Sequence, residues 1–227
     1  MPACASAAPP SAASGRVVLL AGASGLVGRE LLRQLLADDG VAAVHTLGRR
    51  ELRLQHGKLT QHVVDFAALP ALPRADEACI ALGTTIKVAG SRHAFRAVDF
   101  DAVLAVAEAA RAAGASRLGV VSAMGASARS RVFYNRVKGE MEDAIARLGF
   151  DTLVIARPSL LVGDREALGQ PARAGEEIGL KVSRWLGPLL PRDYRPVAAA
   201  DVASALLEAM RSTAGAGVLR SGQMQRR

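Results

Sequence analysis

The chain has 227 residues, half of them hydrophobic, which suits one domain with a good-sized core and leaves two full domains cramped. Its 29 Lys and Arg against 21 Asp and Glu give a net charge of +8, but the bases are scattered among acids, which argues against a nucleic-acid surface. No apolar run reaches the roughly 18–20 residues of a membrane span, and the four histidines, His45, His56, His62 and His93, lack metal-ligand spacing.

Residues 1–15 are small, Pro-rich and uncharged, and read as a disordered tail. They lack the basic start and leucine-rich middle of a signal peptide, and Cys4 and Cys79 offer no disulfide framework. A reducing cytoplasm is the expected compartment. An apolar strand over 17–21 then runs into Gly22-Ala23-Ser24-Gly25-Leu26-Val27-Gly28, and a helix with leucines at helical spacing follows over 26–37. Strand, glycine turn and helix together predict a diphosphate cradle. Glycines permit close backbone approach, and the helix start offers free N–H groups and partial positive charge. The spacing of Gly22, Gly25 and Gly28 is GxxGxxG rather than GxGxxG. Ser24 and Leu26 are expected to present backbone N–H groups to the phosphates.

The alternation continues. A strand over 43–47 ends in Gly48-Arg49-Arg50, and a short one over 61–64 ends at Asp65, before a Pro-broken loop. A strand over 77–82 ends in Gly83-Thr84-Thr85 and leads to a long helix over 95–113. A strand over 117–122 precedes a Gly/Ser/Ala loop and a helix over 132–148, and a strand over 152–156 ends at Arg157-Pro158. This pattern predicts an α/β fold: a doubly wound, Rossmann-type parallel sheet with helices on both faces. Residues 163–195 are irregular and read as a small substrate-side cap within a single domain over 16–220. A helix follows over 201–210, and 221–227 reads as a C-terminal tail.

Three side chains carry the chemistry. Tyr134 and Lys138 stand four residues apart on one face of a predicted helix, and Ser122 closes the preceding strand. Strand ends in a doubly wound sheet open on the ligand crevice, so the three converge there. Hydride transfer at carbon needs proton transfer at its oxygen. A phenol does that at neutral pH only if a nearby cation favours phenolate, and Lys138 can supply the cation. Ser122 can hold the reacting oxygen by a hydrogen bond. At the end of the second strand, where an acid would select NAD, stand Arg49 and Arg50, whose forked charge suits the 2′-phosphate of NADP(H).

With these motifs the chain resembles a short-chain dehydrogenase/reductase from about residue 16 to 219. More narrowly it resembles the atypical, extended-like branch related to the Tat-interacting oxidoreductases. Leu82-Gly83-Thr84-Thr85, Ala89-Gly90-Ser91, Val98-Asp99-Phe100-Asp101, Val121-Ser122-Ala123-Met124-Gly125-Ala126, Tyr134-Asn135-Arg136-Val137-Lys138-Gly139-Glu140 and Ala156-Arg157-Pro158 carry the likeness. The resemblance implies Ser122, Tyr134 and Lys138 as catalytic residues, with Lys138 also on the nicotinamide ribose. It further implies Gly83 and Thr84 lining the cofactor, Asp65 at the adenine and Pro158 beside the nicotinamide. It departs at one point: Asp99 stands where such enzymes often carry an active-site Asn. The expected function is NADP(H)-dependent oxidation or reduction of a small carbonyl or alcohol, with a small-molecule substrate and an open oligomeric state. An NADP(H)-binding regulator that docks a partner, and a sugar-nucleotide epimerase or dehydratase, are the alternatives.

Overall fold

The computed structural model describes residues 15–162 and 191–225. The chain runs through β1 (Arg16–Ala21), α1 (Leu26–Ala37), β2 (Val41–Gly48), β3 (Leu59–Val63) and β4 (Glu77–Ile80). Two short helices, α2 (Ile86–Ala89) and α3 (Arg92–Arg96), lead through a π-helical turn (Ala97–Ala102) into α4 (Val103–Ala112). Then come β5 (Arg117–Val121), α5 (Phe133–Ala146), β6 (Thr152–Arg157) and β7 (Leu161–Val162). The last described segment holds β8 (Val197–Ala198), α6 (Ala199–Ser212), β9 (Gly215–Arg220) and α7 (Ser221–Met224).

Seven strands form one parallel sheet in the order β3-β2-β1-β4-β5-β6-β9, and β7 pairs separately with β8. From β1 the chain winds outward through β2 and β3, then returns to place β4 on the other side of β1. The carboxyl ends of β1 and β4 therefore flank the switch point at which doubly wound sheets bind ligands.

A strand covered on both faces needs an apolar side chain at every position, and the run from Val17 to Ala21 supplies them. Val18 and Leu20 join Leu31 and Leu35 of α1 and Val202 and Leu206 of α6 on one face. Leu19 and Ala21 join Val106 and Ala110 of α4 and Met141 and Ile145 of α5 on the other. Burial of each large aliphatic side chain here is worth about 1.5–3 kcal/mol.

The sheet has one strand more than the sequence pattern predicts. Gly215-Ala216-Gly217-Val218-Leu219-Arg220 is β9, an edge strand with Val218 exposed, and its glycines hide the strand signal. Residues 221–225, expected as a tail, begin with α7, whose Met224 is buried in the core and whose Ser221 bonds Ser159. Of the expected cap over 163–195, residues 163–190 lie outside the described residues, and Arg192–Tyr194 form a single 3-10 turn.

Candidate functional site

The turn after β1 is shaped by close approach of backbone. Gly22 has φ +88°, and a Cβ there would lie 2.6 Å from the Ala81 carbonyl. A Cβ on Gly28 would lie 2.0 Å from the Gly22 oxygen, so α1 can start against this turn only with glycine. Gly25 differs. Its hypothetical Cβ would come no nearer than 3.4 Å, so packing among the described residues does not require a glycine there. As N-cap of α1 it contributes no side chain, and the first amides of the helix carry no side-chain cap. Ser24 is exposed at the tip of the turn, and Leu26 opens the helix. A helix start with no side-chain cap, behind a glycine that nothing among the described residues demands, fits a bound diphosphate.

Arg49 and Arg50 sit at the carboxyl end of β2, which is separated from the crevice by β1 alone. Both are exposed, and neither makes a hydrogen bond or ion pair among the described residues. Asp65, just past β3, is also exposed, but its Oδ1 accepts from the Ala67 amide in a local turn. Pro158 is buried after β6, and its carbonyl accepts from the Met124 amide, tying the loop after β5 to the end of β6.

Ser122 follows β5. Its amide bonds the Ala156 carbonyl, while its Oγ is buried without a hydrogen-bond partner among the described residues. A buried hydroxyl left unsatisfied costs about 1–3 kcal/mol, so the position calls for a ligand acceptor or donor. The loop from Ser122 folds back onto α5. Ser127 N–H donates to the Asn135 carbonyl, and a Cβ on Gly139 would lie 2.1 Å from the Ala128 nitrogen. That close seating fixes Ser122 relative to the helix bearing Tyr134 and Lys138. Tyr134 stacks at a tilt on buried Phe95, with ring centroids 5.2 Å apart.

Lys138 is buried, and its Nζ lies 2.8 Å from Oδ1 of Asp99, which is 0% exposed. The other Asp99 oxygen accepts from the Thr84 amide at 2.8 Å. Gly83 lies over the pair, with a Cβ position 3.4 Å from Asp99 Oδ1 and 3.8 Å from Lys138 Nζ. Asp99 belongs to the π-helical turn, a device that adds a residue to a helix and recurs at functional sites. Position 99 stands out in the sequence, but its pairing with Lys138 does not, because helical spacing predicts no π turn. Other charged neighbours brace the site: Arg96 pairs with Glu140, and Arg157 with Glu142, each joining α5 to a neighbouring element.

An open cleft at the opposite end of the strands is lined by Arg16, Asp38, Glu77, Arg117 and Arg211. Its arginines are all engaged, Arg16 with Asp38 and Glu77, Arg211 with Asp38, and Arg117 with the Met210 carbonyl. Among the described residues no group of three His, Cys, Asp or Glu could hold a metal.

A family model described as NAD(P)H-binding matches residues 22–213. The chain belongs to that NAD(P)H-binding family. Its likeness to the Tat-interacting branch is borne out by its relatives. It is 37% identical to protein HTATIP2 of Rattus norvegicus over 171 residues, covering 72% of this chain and 69% of the relative. It is 32% identical over 196 residues to the mitochondrial protein FMP52 of Candida albicans, covering 82% and 84%. In fold it is similar to MoeE5 in complex with UDP-glucose and NAD, with TM-score 0.66, 19% identity and coverage of 90% of this chain and 75% of the other. The UDP-glucose 4-epimerase of Thermotoga maritima is similar at TM-score 0.67, 14% identity and coverage of 91% and 77%. No helix among the described residues is long and apolar enough to cross a membrane.

Proposed function

We propose that this chain is an NADP(H)-dependent oxidoreductase that interconverts a small carbonyl compound and its alcohol. The observation that carries the reading is the buried Ser122 hydroxyl, unpartnered among the described residues, at the carboxyl end of β5, in the loop seated on the Tyr134/Lys138 helix. The dinucleotide, when bound, supplies or accepts the hydride. Gly22, Gly25 and Gly28, with the amides around Ser24 and Leu26, would hold its diphosphate. Arg49 and Arg50 would take the 2′-phosphate and make NADP(H) the preferred form. Asp65 would meet the adenine, Gly83 and Thr84 would line the cofactor, Lys138 would reach the ribose, and Pro158 would flank the nicotinamide.

Within this arrangement Tyr134 Oη gives a proton to the substrate oxygen during reduction and takes it back during oxidation. Ser122 Oγ–H donates to the same oxygen and holds it as charge grows there. The Lys138 ammonium stabilises the phenolate left behind. Tyr134→Phe tests the reading: turnover falls roughly 10²–10⁴-fold while NADPH affinity, followed by fluorescence, stays unchanged. Full activity in that variant removes Tyr134 from the role. A wild type that binds NADPH but turns over no aldehyde, ketone or quinone overturns the enzyme reading.

One observation favours the second reading, an NADP(H)-binding regulator that docks a partner: the Asp99 carboxylate already neutralises Lys138 inside the protein. A regulator keeps its biological effect in Tyr134→Phe so long as NADPH binds. A reducing compartment suits buried Cys79, whose thiol burial pushes up to about 12. The cytoplasm meets that need, as does the mitochondrion that the FMP52 relatives carry in their names, and fractionation distinguishes the two.

A further inference from the structure

The geometry points to Ser221, at the far end of the chain, as a positioning residue for the nicotinamide side of the site, acting through Ser159 and Pro158. This rests on the proposed place of Pro158 beside the nicotinamide. β9 pairs with β6 so that Arg220 stands beside Arg157, the last residue of each strand. Ser221 and Pro158 are therefore the next residues out on neighbouring strands, at the carboxyl ends where doubly wound sheets bind ligands. Ser221 is 1% exposed, and no sequence motif marks it.

Two hydroxyls join these segments in one directed chain. Ser159 N–H donates to Ser221 Oγ at 3.1 Å, Ser221 Oγ–H donates to Ser159 Oγ at 2.8 Å, and Ser159 Oγ–H donates to the Arg195 carbonyl. A hydroxyl has a single proton, so neither serine can turn to another acceptor without breaking the chain. The rest of α7 is seated against the same turn. Gly222 N–H donates to Asp193 Oδ1, and Gln225 Nε2 donates to the Arg192 and Arg195 carbonyls. A Cβ on Gly222 would lie 2.7 Å from Asp193 Oδ1, so this approach leaves no slack. From the other flank, the Pro158 carbonyl accepts from the Met124 N–H in the loop that begins at Ser122. Pro158 is thus held by the Ser122 loop on one side and, through Ser159, by Ser221 on the other. Loss of the Ser221 hydroxyl releases the second side alone. A small misplacement beside reacting atoms lowers turnover, whereas the groups proposed to grip the dinucleotide, at Gly22–Gly28 and Arg49, are untouched.

The experiment compares wild type with Ser221→Ala, Ser159→Ala and Met224→Ala, the last removing core packing from α7 with both hydroxyls in place. NADPH affinity and the nicotinamide fluorescence lifetime of bound NADPH are measured beside kcat and KM for 4-nitrobenzaldehyde. We expect Ser221→Ala and Ser159→Ala to lower kcat about 3–10-fold, the worth of one hydrogen bond. The lifetime shortens in both as the nicotinamide loosens, while NADPH affinity stays unchanged. Met224→Ala lowers the melting temperature and leaves kcat and lifetime at wild-type values. Ser159→Ala/Ser221→Ala loses no more than the worse single variant, because both break one chain. Unchanged kcat and lifetime in Ser221→Ala overturn the inference, as do additive losses in the double variant. Losses in Met224→Ala that match Ser221→Ala also overturn it, since α7 then acts by packing alone. If Ser221→Ala does not fold, Ser159→Ala decides the matter by the same readouts. A wild type that binds NADPH but turns over no carbonyl compound removes the oxidoreductase reading, yet the lifetimes still decide the role of Ser221.

Discussion

Glu142, on the helix that carries Tyr134, accepts a hydrogen bond from Arg157 Nε at 3.1 Å and a second from its terminal nitrogen. Arg157 is the last residue of β6, directly before Pro158, and Glu142 is buried. The pair fixes the distance between the end of β6 and the outer turns of α5. The hydrogen bond to Glu142, with the charge of that carboxylate, holds the guanidinium even further above its usual range, so Arg157 is a permanent cation.

Removing one partner strands the other. Arg157→Met leaves Glu142 as an uncompensated buried carboxylate, costing about 2–4 kcal/mol, somewhat under the fully buried figure because a third of the Arg157 side chain meets solvent. Thermal melting should fall by roughly 4–16 °C. Arg157→Met/Glu142→Met should recover most of the loss, and a double variant as unstable as the single would show that the charge pairing is not the cause.

The glycines of the first turn separate folding from binding. Gly28→Ala drives a methyl into the Gly22 carbonyl and should cost at least about 3 kcal/mol. The Cβ of Gly25→Val meets only ordinary contacts at an ordinary φ of −84°, so its melting temperature should stay close to wild type. Its NADPH affinity should nonetheless drop at least about tenfold if, as proposed, the side chain projects where the phosphates would approach. Normal binding in folded Gly25→Val places the diphosphate elsewhere.

The strand-helix alternation and the paired motifs were legible because parallel strands buried on both faces read as short apolar runs, and amphipathic helices as leucine and alanine periods. Val17 to Ala21 and the Tyr134/Lys138 spacing are of that kind. Less legible was whatever depends on contact between distant segments. β9 pairs with β6 through Gly215 and Gly217, residues of poor strand propensity, and is held by its neighbour rather than by its own sequence. The Asp99–Lys138 pair spans 39 positions and relies on a π turn with no sequence signature. Arg96 with Glu140 and Arg157 with Glu142 were visible as charged residues, but not as partners.

The sheet edge carries a proton-sensitive contact. His45 Nδ1 on β2 lies 3.0 Å from His62 Nε2 on β3, so one ring must donate and the other accept. Burial first, then the charge of His62, hold His45 below its ordinary value of 6.5. The folded state thus binds this proton less readily than the unfolded chain. Stability from this site is full above the unfolded value and declines as pH falls below it. Melting temperature should drop between about pH 7.5 and about pH 5.5, by less than about 4 °C, the shift that 1 kcal/mol produces at this size. The drop should shrink in His45→Gln. An identical pH slope in that variant would assign the sensitivity to other groups.

Cofactor choice gives the sharpest test of the reading at the end of β2. Arg49 is exposed and unengaged among the described residues, so its removal disturbs no internal contact. Arg49→Ala should therefore leave melting unchanged. The 2′-phosphate of NADPH would lose a charge-assisted hydrogen bond worth about 1.5–3 kcal/mol, whereas NADH has no phosphate to lose. Calorimetry should show NADPH affinity falling by one to two orders of magnitude with NADH affinity steady. Equal losses for both cofactors would mean that Arg49 acts on the shared part of the dinucleotide. Equal affinities in the wild type would remove the basis for NADP(H) preference, and Arg50→Ala, measured the same way, tells whether the second arginine shares the phosphate or only covers the edge of the sheet.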